Sequence, residues 1–316
     1  LVLQALRFWR LLLNLPLPMA KGINKHYLLL HFIVFIWGFS PVLGRIITTS
    51  ADAWQLVWFR TWITVIGMLV YLKITKQSLK ITQKDFWKLT GIGIIIMVHW
   101  VAFYGAIKVS NISVTMVAFS TGTLFSSIIE PILYKRRIRM YEIFIGIVII
   151  GAISLIFSIE THFWLGITLG IIAAFLSSLF GVLNGLMIKN IHSGCISFYE
   201  LTAAFLSLTL YLAFSGFKEG FFHLEQSALI GLLILSLVCT IFPFLASVNL
   251  AKYISPYTIV LTVNLETVYG IIWAIIFFSE NKEVKPSFYL GVFIILAAIF
   301  LNSYLRQLTE KKTGQV

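Results

Sequence analysis

Ten stretches of about twenty residues, almost free of charge, follow one another along this chain of 316 residues. They fall near 28–47, 54–73, 87–107, 113–134, 140–158, 164–188, 196–216, 228–250, 255–278 and 286–305. A helix needs about 20 mostly apolar residues to cross a bilayer. Within lipid every backbone N–H and C=O must be satisfied inside its own segment, so a helix is the physical default. Barrel strands would alternate polar with apolar residues, and neither Ile92–Val98 nor Ile143–Ile150 does so. Only 11% of the residues are Asp, Glu, Lys or Arg, whereas 59% are hydrophobic. A soluble domain carries roughly 25% charged residues, so this chain could not cover a soluble globule with polar groups. The expected fold is an all-α membrane protein whose ten transmembrane helices form two inverted five-helix repeats.

The formal net charge of +12 would suggest a nucleic-acid partner in a soluble protein. Here the basic residues sit in short runs between apolar spans, without aromatic interleaving, and orientation in the bilayer is the better reading. Eighteen Lys and Arg fall in the termini and even-numbered connections, in runs such as Lys73 to Lys88 and Lys135 to Arg139. The odd-numbered connections hold four: Lys108, Lys218, Lys282 and Lys285. This bias predicts both termini in the cytoplasm and favours an even number of spans. Residues 1–18 precede Met19 and a basic stretch, and Met19 is the expected start of the mature protein. Cys195 and Cys239 offer neither metal spacing nor a disulfide framework and read as small buried hydrophobes.

An internal repeat underlies the spans. Lys108-Val-Ser-Asn-Ile-Ser aligns with Lys252-Tyr-Ile-Ser-Pro-Tyr at an offset of 144, and Gly146-Ile-Val-Ile-Ile-Gly with Gly291-Val-Phe-Ile-Ile-Leu at 145. Trp58-Phe59-Arg60 pairs with Phe198-Tyr199-Glu200 at 140. Five is odd, so a second unit of five helices enters the membrane from the opposite side, the plan of many secondary transporters. The expected units are 1–27 as a cytoplasmic segment, 28–158 and 164–305 as the two repeats, and 306–316 as a cytoplasmic tail.

The second half carries Tyr253-Ile-Ser-Pro256, Asn264-Leu-Glu266-Thr-Val-Tyr-Gly270, Glu280 and Gly291-Val-Phe-Ile-Ile-Leu. The first carries Trp37-Gly38, Arg60, Gly105-Ala-Ile-Lys108 and Gly146. With these features the chain resembles the EamA-type branch of the drug/metabolite transporter superfamily over about residues 28–305. The resemblance implies ten helices in two inverted repeats and the movement of small metabolites, often amino acids and often outward. Two departures stand out. Thr267 follows Glu266 where the family usually has Pro, and Lys135-Arg136-Arg137 replaces the Glu that usually opens the fourth connection.

A charged side chain at mid-membrane costs at least ~2.5–3.5 kcal/mol, so each one needs a partner or a cavity. On the ninth helix, Thr262, Glu266, Tyr269 and Trp273 are spaced as one face, with Asn264 beside it. On the fourth, Ser120, Thr123, Ser127 and Glu130 form a matching stripe. Ser120 is the repeat counterpart of Asn264. The first helix offers Trp37, Ser40, Pro41 and Gly44; the sixth offers Ser177, Gly181 and Asn184 at equivalent places. His99, Trp100, Phe103 and Tyr104 make two i, i+4 pairs on the third. Gly166/Gly170 and Gly181/Gly185 read as small-residue packing pairs. The candidate substrate-binding residues are therefore Trp37, His99, Trp100, Tyr104, Ser120, Thr123, Asn184, Asn264, Glu266, Tyr269 and Trp273. Each aromatic among them fits ordinary helix packing as well. Arg60 and Glu200, at equivalent repeat positions, read as gate or interface residues. Arg45 is expected to reach the membrane interface, and Glu130 to pair with the basic run beside it.

No catalytic or metal motif stands out: there is no HExxH, Walker loop, GxSxG or paired-aspartate site, and no cofactor is implied. Asn111-Ile-Ser113 matches a glycosylation sequon but lies almost at the membrane. The leading expectation is a secondary transporter in a multi-pass, bacterial inner-membrane setting, with a small-molecule substrate and the lipid bilayer as partners. Glu266 is the candidate for binding a proton or a substrate amine. The rivals are an intramembrane lipid-modifying enzyme, which needs acid, base or metal ligands converging at one depth, and a non-transporting scaffold, which needs a closed interior.

Overall fold

A computed structural model describes residues 25–135, 138–250, 253–254, 259, 262–263 and 265–313, with the side chains of 303 and 306–313 left aside. The helices are α1 (Lys25–Thr48), α2 (Ala53–Thr75), α3 (Gln83–Val109), α4 (Ile112–Tyr134) and α5 (Met140–Ile159) in the first half. In the second they are α6 (Trp164–Met187), α7 (Ser193–Ser215), α8 (Gln226–Leu250), α9 (Leu265–Phe278) and α10 (Phe288–Thr313). Among the described residues there is no strand. Among the described residues eight helices are long and apolar enough to cross a membrane; the apolar parts of the last two, Leu265–Phe278 and Phe288–Asn302, are shorter. Most of the ten residues expected to open the ninth span lie outside the described residues.

Side-chain caps set the helix starts. Asp52 accepts the Gln55 amide at 2.8 Å, Thr82 the Asp85 amide at 3.1 Å, and Asn111 the Val114 amide at 2.9 Å. Such caps satisfy the donors that a first helical turn leaves free. Asn111 is fully buried in this role, which accounts for the sequon-like triplet. Large apolar side chains face outward, among them Phe214, Phe293, Ile132 and Phe144, while Arg60, Thr61, Ser197 and Glu200 lie inside. That distribution suits lipid as the surrounding solvent, and the chain is a multi-pass membrane protein.

The two halves pack by one rule. Helix α3 packs on α6 and α7, as α8 packs on α1 and α2; α6 packs on α4, as α1 packs on α9. Equivalent helices that meet run antiparallel. Trp58, near the start of α2, donates to Thr209 near the end of α7, whereas Tyr199 near the start of α7 donates to Leu79 just beyond α2. Glu160, after α5, accepts the amide of Lys285 before α10, and Ala298 near the apolar end of α10 packs on Ile145 and Ile149 early in α5. Glu280, after α9, accepts amides from the start of α4. The described helices of the second half are therefore turned over relative to those of the first.

Close approach depends on small residues. A Cβ on Gly170 would lie 2.7 Å from that of Ala118, and one on Gly166 would collide with Ser110, so this pair packs α6 on the turn before α4 and on α4 itself. Gly181 has nothing within 4 Å and is no packing residue. A Cβ on Gly93 would strike the Glu200 carbonyl across the α3–α7 contact, whereas Gly91, two residues earlier and on the other side of α3, has open space. Gly93→Ala should therefore destabilise the purified protein by ~1–3 kcal/mol through overpacking. Gly91→Ala should leave stability unchanged or raise it by the ~0.5–1 kcal/mol of helix preference. Thermal unfolding in detergent distinguishes the two, and equal effects would contradict the packing described.

Candidate functional site

A cavity of about 230 Å³ lies between the halves. Its wall is built from side chains of α1, α2, α3, α4, α6, α8 and the α9 segment, with Glu142 of α5 and Asn302 of α10 at one end. The α4 stripe read from the sequence, Ser120, Thr123, Ser127 and Glu130, lines it throughout, and so do Ser177, Gly181 and Asn184 of α6. Trp37, His99, Trp100, Tyr104 and Glu266 are also on the wall. Tyr269 and Trp273 are not. Tyr269 stacks edge-on against Phe35, and Trp273 against Phe35 and Phe39, so their face of α9 turns onto α1. The residues of this segment that do reach the cavity are Ile259, Val263, Glu266 and Thr267. Asn264 lies outside the described residues. His31 is exposed and away from the wall.

Arg60 sits on the wall, at the cavity floor, rather than at a gate. It is 4% exposed. Its Nε donates to Thr240 Oγ1 at 3.0 Å and its Nη1 to Tyr104 OH at 2.6 Å. The Trp100 ring covers one face of the guanidinium at 3.9 Å, a contact favoured by the ring quadrupole. Room for Tyr104 comes from Gly44, where any Cβ would strike the Tyr104 ring. Glu266, 8% exposed, lies within electrostatic reach of Arg60 but forms no ion pair with it. Glu200, the repeat counterpart of Arg60, is fully buried off the cavity and accepts from Asn184 Nδ2 at 3.2 Å. The two equivalent charges thus have separate partners. His99 turns Nδ1 to the Ala173 carbonyl at 2.8 Å, which assigns the proton to Nδ1. Its ring is packed among Phe103, Phe119 and Phe180.

The backbone is irregular where it borders the cavity. Helix α4 breaks at Ser120–Thr121 between its two segments, Ile112–Phe119 and Gly122–Tyr134, and both hydroxyls fold back onto carbonyls three residues earlier. Helix α8 contains a π turn over Leu237–Ile241, where Thr240 Oγ1 reaches back to the Leu235 carbonyl. Pro41, Pro131 and Pro243 each lack the amide that would bond four residues back. The carbonyls so released belong to Trp37, Ser127 and Cys239, and all three residues line the cavity. Non-helical backbone at membrane depth is tolerated where it is enclosed by protein or lines a cavity. Pro41, Pro131 and Pro243 all stand inside apolar spans and carry the same sequence signal, and Pro243 marks the turn that presents Thr240.

The model of the EamA-like transporter family matches the sequence twice, over residues 24–158 and 164–304. The chain belongs to this family. A search of curated proteins returned no match. A solved crystal structure superposes on the chain with a TM-score of 0.62, covering 88% of it and 97% of the other chain at 12% identity. That likeness is one of fold.

In this EamA-like chain the ends of the bundle differ. At the end where α1 begins, the cavity runs out toward Glu130, Glu142 and Asn302. Of the basic run expected to pair with Glu130, Arg136 and Arg137 lie outside the described residues. At the far end the halves are tied together. Glu280, fully buried, accepts the Ile112 amide at 2.9 Å and the Ser113 amide at 2.7 Å. A carboxylate there meets both free donors and the positive end of the α4 dipole. Asn111 donates to Glu283 at 3.1 Å, and Gln55 to the Phe221 carbonyl at 2.6 Å. Arg45 donates to the Ile107 and Ser110 carbonyls at this end, where α3 finishes.

Lys218 completes this end by donating to Asp52 at 2.7 Å. Burial pushes the Asp52 carboxyl up, but the Lys218 hydrogen bond, the Gln55 amide and the Lys218 and Lys108 charges outweigh it and hold it below the usual carboxylate value. A depressed folded value means that the stability contributed by this group is fully present above the unfolded value, about 3.9. It is lost as the pH falls through the folded one. Wild-type protein should therefore lose more stability than Asp52→Asn between pH 6 and 3, since Asn keeps the cap but cannot titrate. Parallel melting curves over that range would contradict the contact.

Proposed function

We propose that this chain is a secondary transporter that moves a small metabolite, of the size of an amino acid, by alternating access. The observation that supports the reading is the cavity between two inverted halves, whose largely apolar wall carries charged and hydroxyl side chains; it extends toward one end, and hydrogen bonds tie the halves together at the other. The end toward which the cavity extends is the end of the basic runs, so the orientation rule puts it, with both termini, on the cytoplasmic side. The state described is then inward-facing. In the opposite state the far-end ties break and the halves close over Glu130 and Glu142. No nucleotide is needed for such a cycle. Glu266, a carboxylate on the cavity wall, is the group able to receive a proton or a substrate ammonium.

Flux in proteoliposomes tests this, with a panel of amino acids and related metabolites and with or without a pH gradient. Exchange of at least one compound is expected, and Glu266→Gln should lower it tenfold or more or abolish its pH response. No flux of any panel member would end the reading. A Ser126→Cys reporter in a background without Cys195 and Cys239 should react with an impermeant maleimide mainly from the side of the N-terminus. Glu280→Gln, whose amide nitrogen cannot accept from one of the two N–H donors, should raise labelling from the far side several-fold. Equal labelling from both sides in both proteins would contradict the closed end.

A further inference from the structure

The structure assigns Arg60 as the receptor for a carboxylate group of the transported molecule, a step that rests on the transport reading above. A guanidinium has five N–H donors in one plane. Two are engaged, by Thr240 and by the Tyr104 hydroxyl. Among the described residues no protein acceptor takes the other three, although Arg60 is 4% exposed and its remaining surface is on the cavity. A buried, charged donor left this way is strongly disfavoured unless something accepts from it. Thr240, Tyr104 and the Trp100 face hold the plane in one orientation, so its free edge is presented ready-made.

The chemistry of that edge selects the ligand. A planar carboxylate matches the two parallel N–H groups of a guanidinium, and the pairing is bidentate and directional. Arg60 is the one Lys or Arg among the described lining residues, whereas Glu130, Glu142 and Glu266 are all on the wall. A dianion such as a phosphate ester would bring one charge more than Arg60 alone balances. A single carboxylate neutralises Arg60, and an ammonium on the same molecule would find Glu266. The wall also carries the aromatic rings of Trp37, Phe103 and Phe244, which suit an apolar side chain.

The test uses matched compounds. L-leucine and L-phenylalanine are compared with their primary amides, with the amines left after removal of the carboxyl group, and with 4-methyl-2-oxopentanoate, which lacks the ammonium. Binding is read from the thermal unfolding midpoint in detergent, and exchange from counterflow in proteoliposomes. Compounds that keep the carboxylate should bind at least tenfold tighter than their amides and amines. If the oxo acid binds as well as leucine the site takes monocarboxylates, and if it does not the site takes zwitterions; Arg60 is the receptor in both cases. Arg60→Lys retains a cation without the planar edge and should weaken carboxylate binding tenfold or more. Amides or amines that bind and exchange as well as the acids would remove the carboxylate subsite while leaving transport intact. Wild-type affinity in folded Arg60→Lys would do the same. Absence of binding and exchange by every compound in the set would also overturn the subsite, and the wider flux panel would then decide the transport reading by itself.

Discussion

Lipid offers no hydrogen bonds, and almost every feature of this protein follows from how its backbone answers that constraint. Most of the chain does so by remaining helical. At the helix ends side chains take over: Asp52, Thr82 and Asn111 cap the helices they precede, and Glu280 and Glu160 accept amides from the opposite half. The remaining departures are concentrated at the cavity. The α4 break, the π turn of α8 and the carbonyls released by Pro41, Pro131 and Pro243 all belong to residues on or beside its wall. A void lined this way is costly to build, since each irregular turn gives up helical hydrogen bonds. The cavity is thus a place where polar backbone and polar side chains have been gathered together inside an apolar shell.

The inverted repeat would make the two ends of the bundle equivalent, and the side chains break that equivalence. Glu280 ties the end of the second half to the start of α4. The repeat offset of 145 that aligns Gly146 with Gly291 carries Glu280 back to Lys135. An ammonium has donors only and cannot accept the amides of a helix start. The carboxylate latch therefore exists at one end and has no chemical counterpart at this position of the other. The cavity reaches toward the end that lacks it.

Much of this was legible in the sequence, for physical reasons. Small polar residues recurring at helical spacing in otherwise apolar spans can face few places, so Ser120, Thr123, Ser127 and Glu130, or Ser177, Gly181 and Asn184, identified their own faces. The family resemblance read from the motifs agrees with the two family matches. What was not legible depended on rotation and on distant partners. Tyr269 and Trp273 share a sequence stripe with Glu266, yet residues three and seven positions on are offset by tens of degrees around a helix. That offset places them on α1. Glu280 reads locally as a loop acid, because its partners are 167 and 168 residues away. Arg60 lies near a helix start, which suggested a gate. Only the fold shows that Tyr104, standing over Gly44, and Thr240, carried by a π turn, bring it to the cavity floor.

Arg60 and Glu266 illustrate how this cavity differs from a structural core. Two opposite charges in a low-dielectric interior attract strongly, and a direct ion pair would satisfy both. Such a pair would also be blind to any ligand, since the substrate would first have to break it. In this protein Arg60 is held instead by two neutral oxygens and an aromatic face, and Glu266 stands apart on the wall. The attraction between them persists across the cavity but remains unconsummated. A molecule carrying its own charges can then substitute for the missing contact, gaining energy that the empty protein cannot gain alone. That difference between the empty and occupied cavity is what a binding event needs in order to bias one conformation over another.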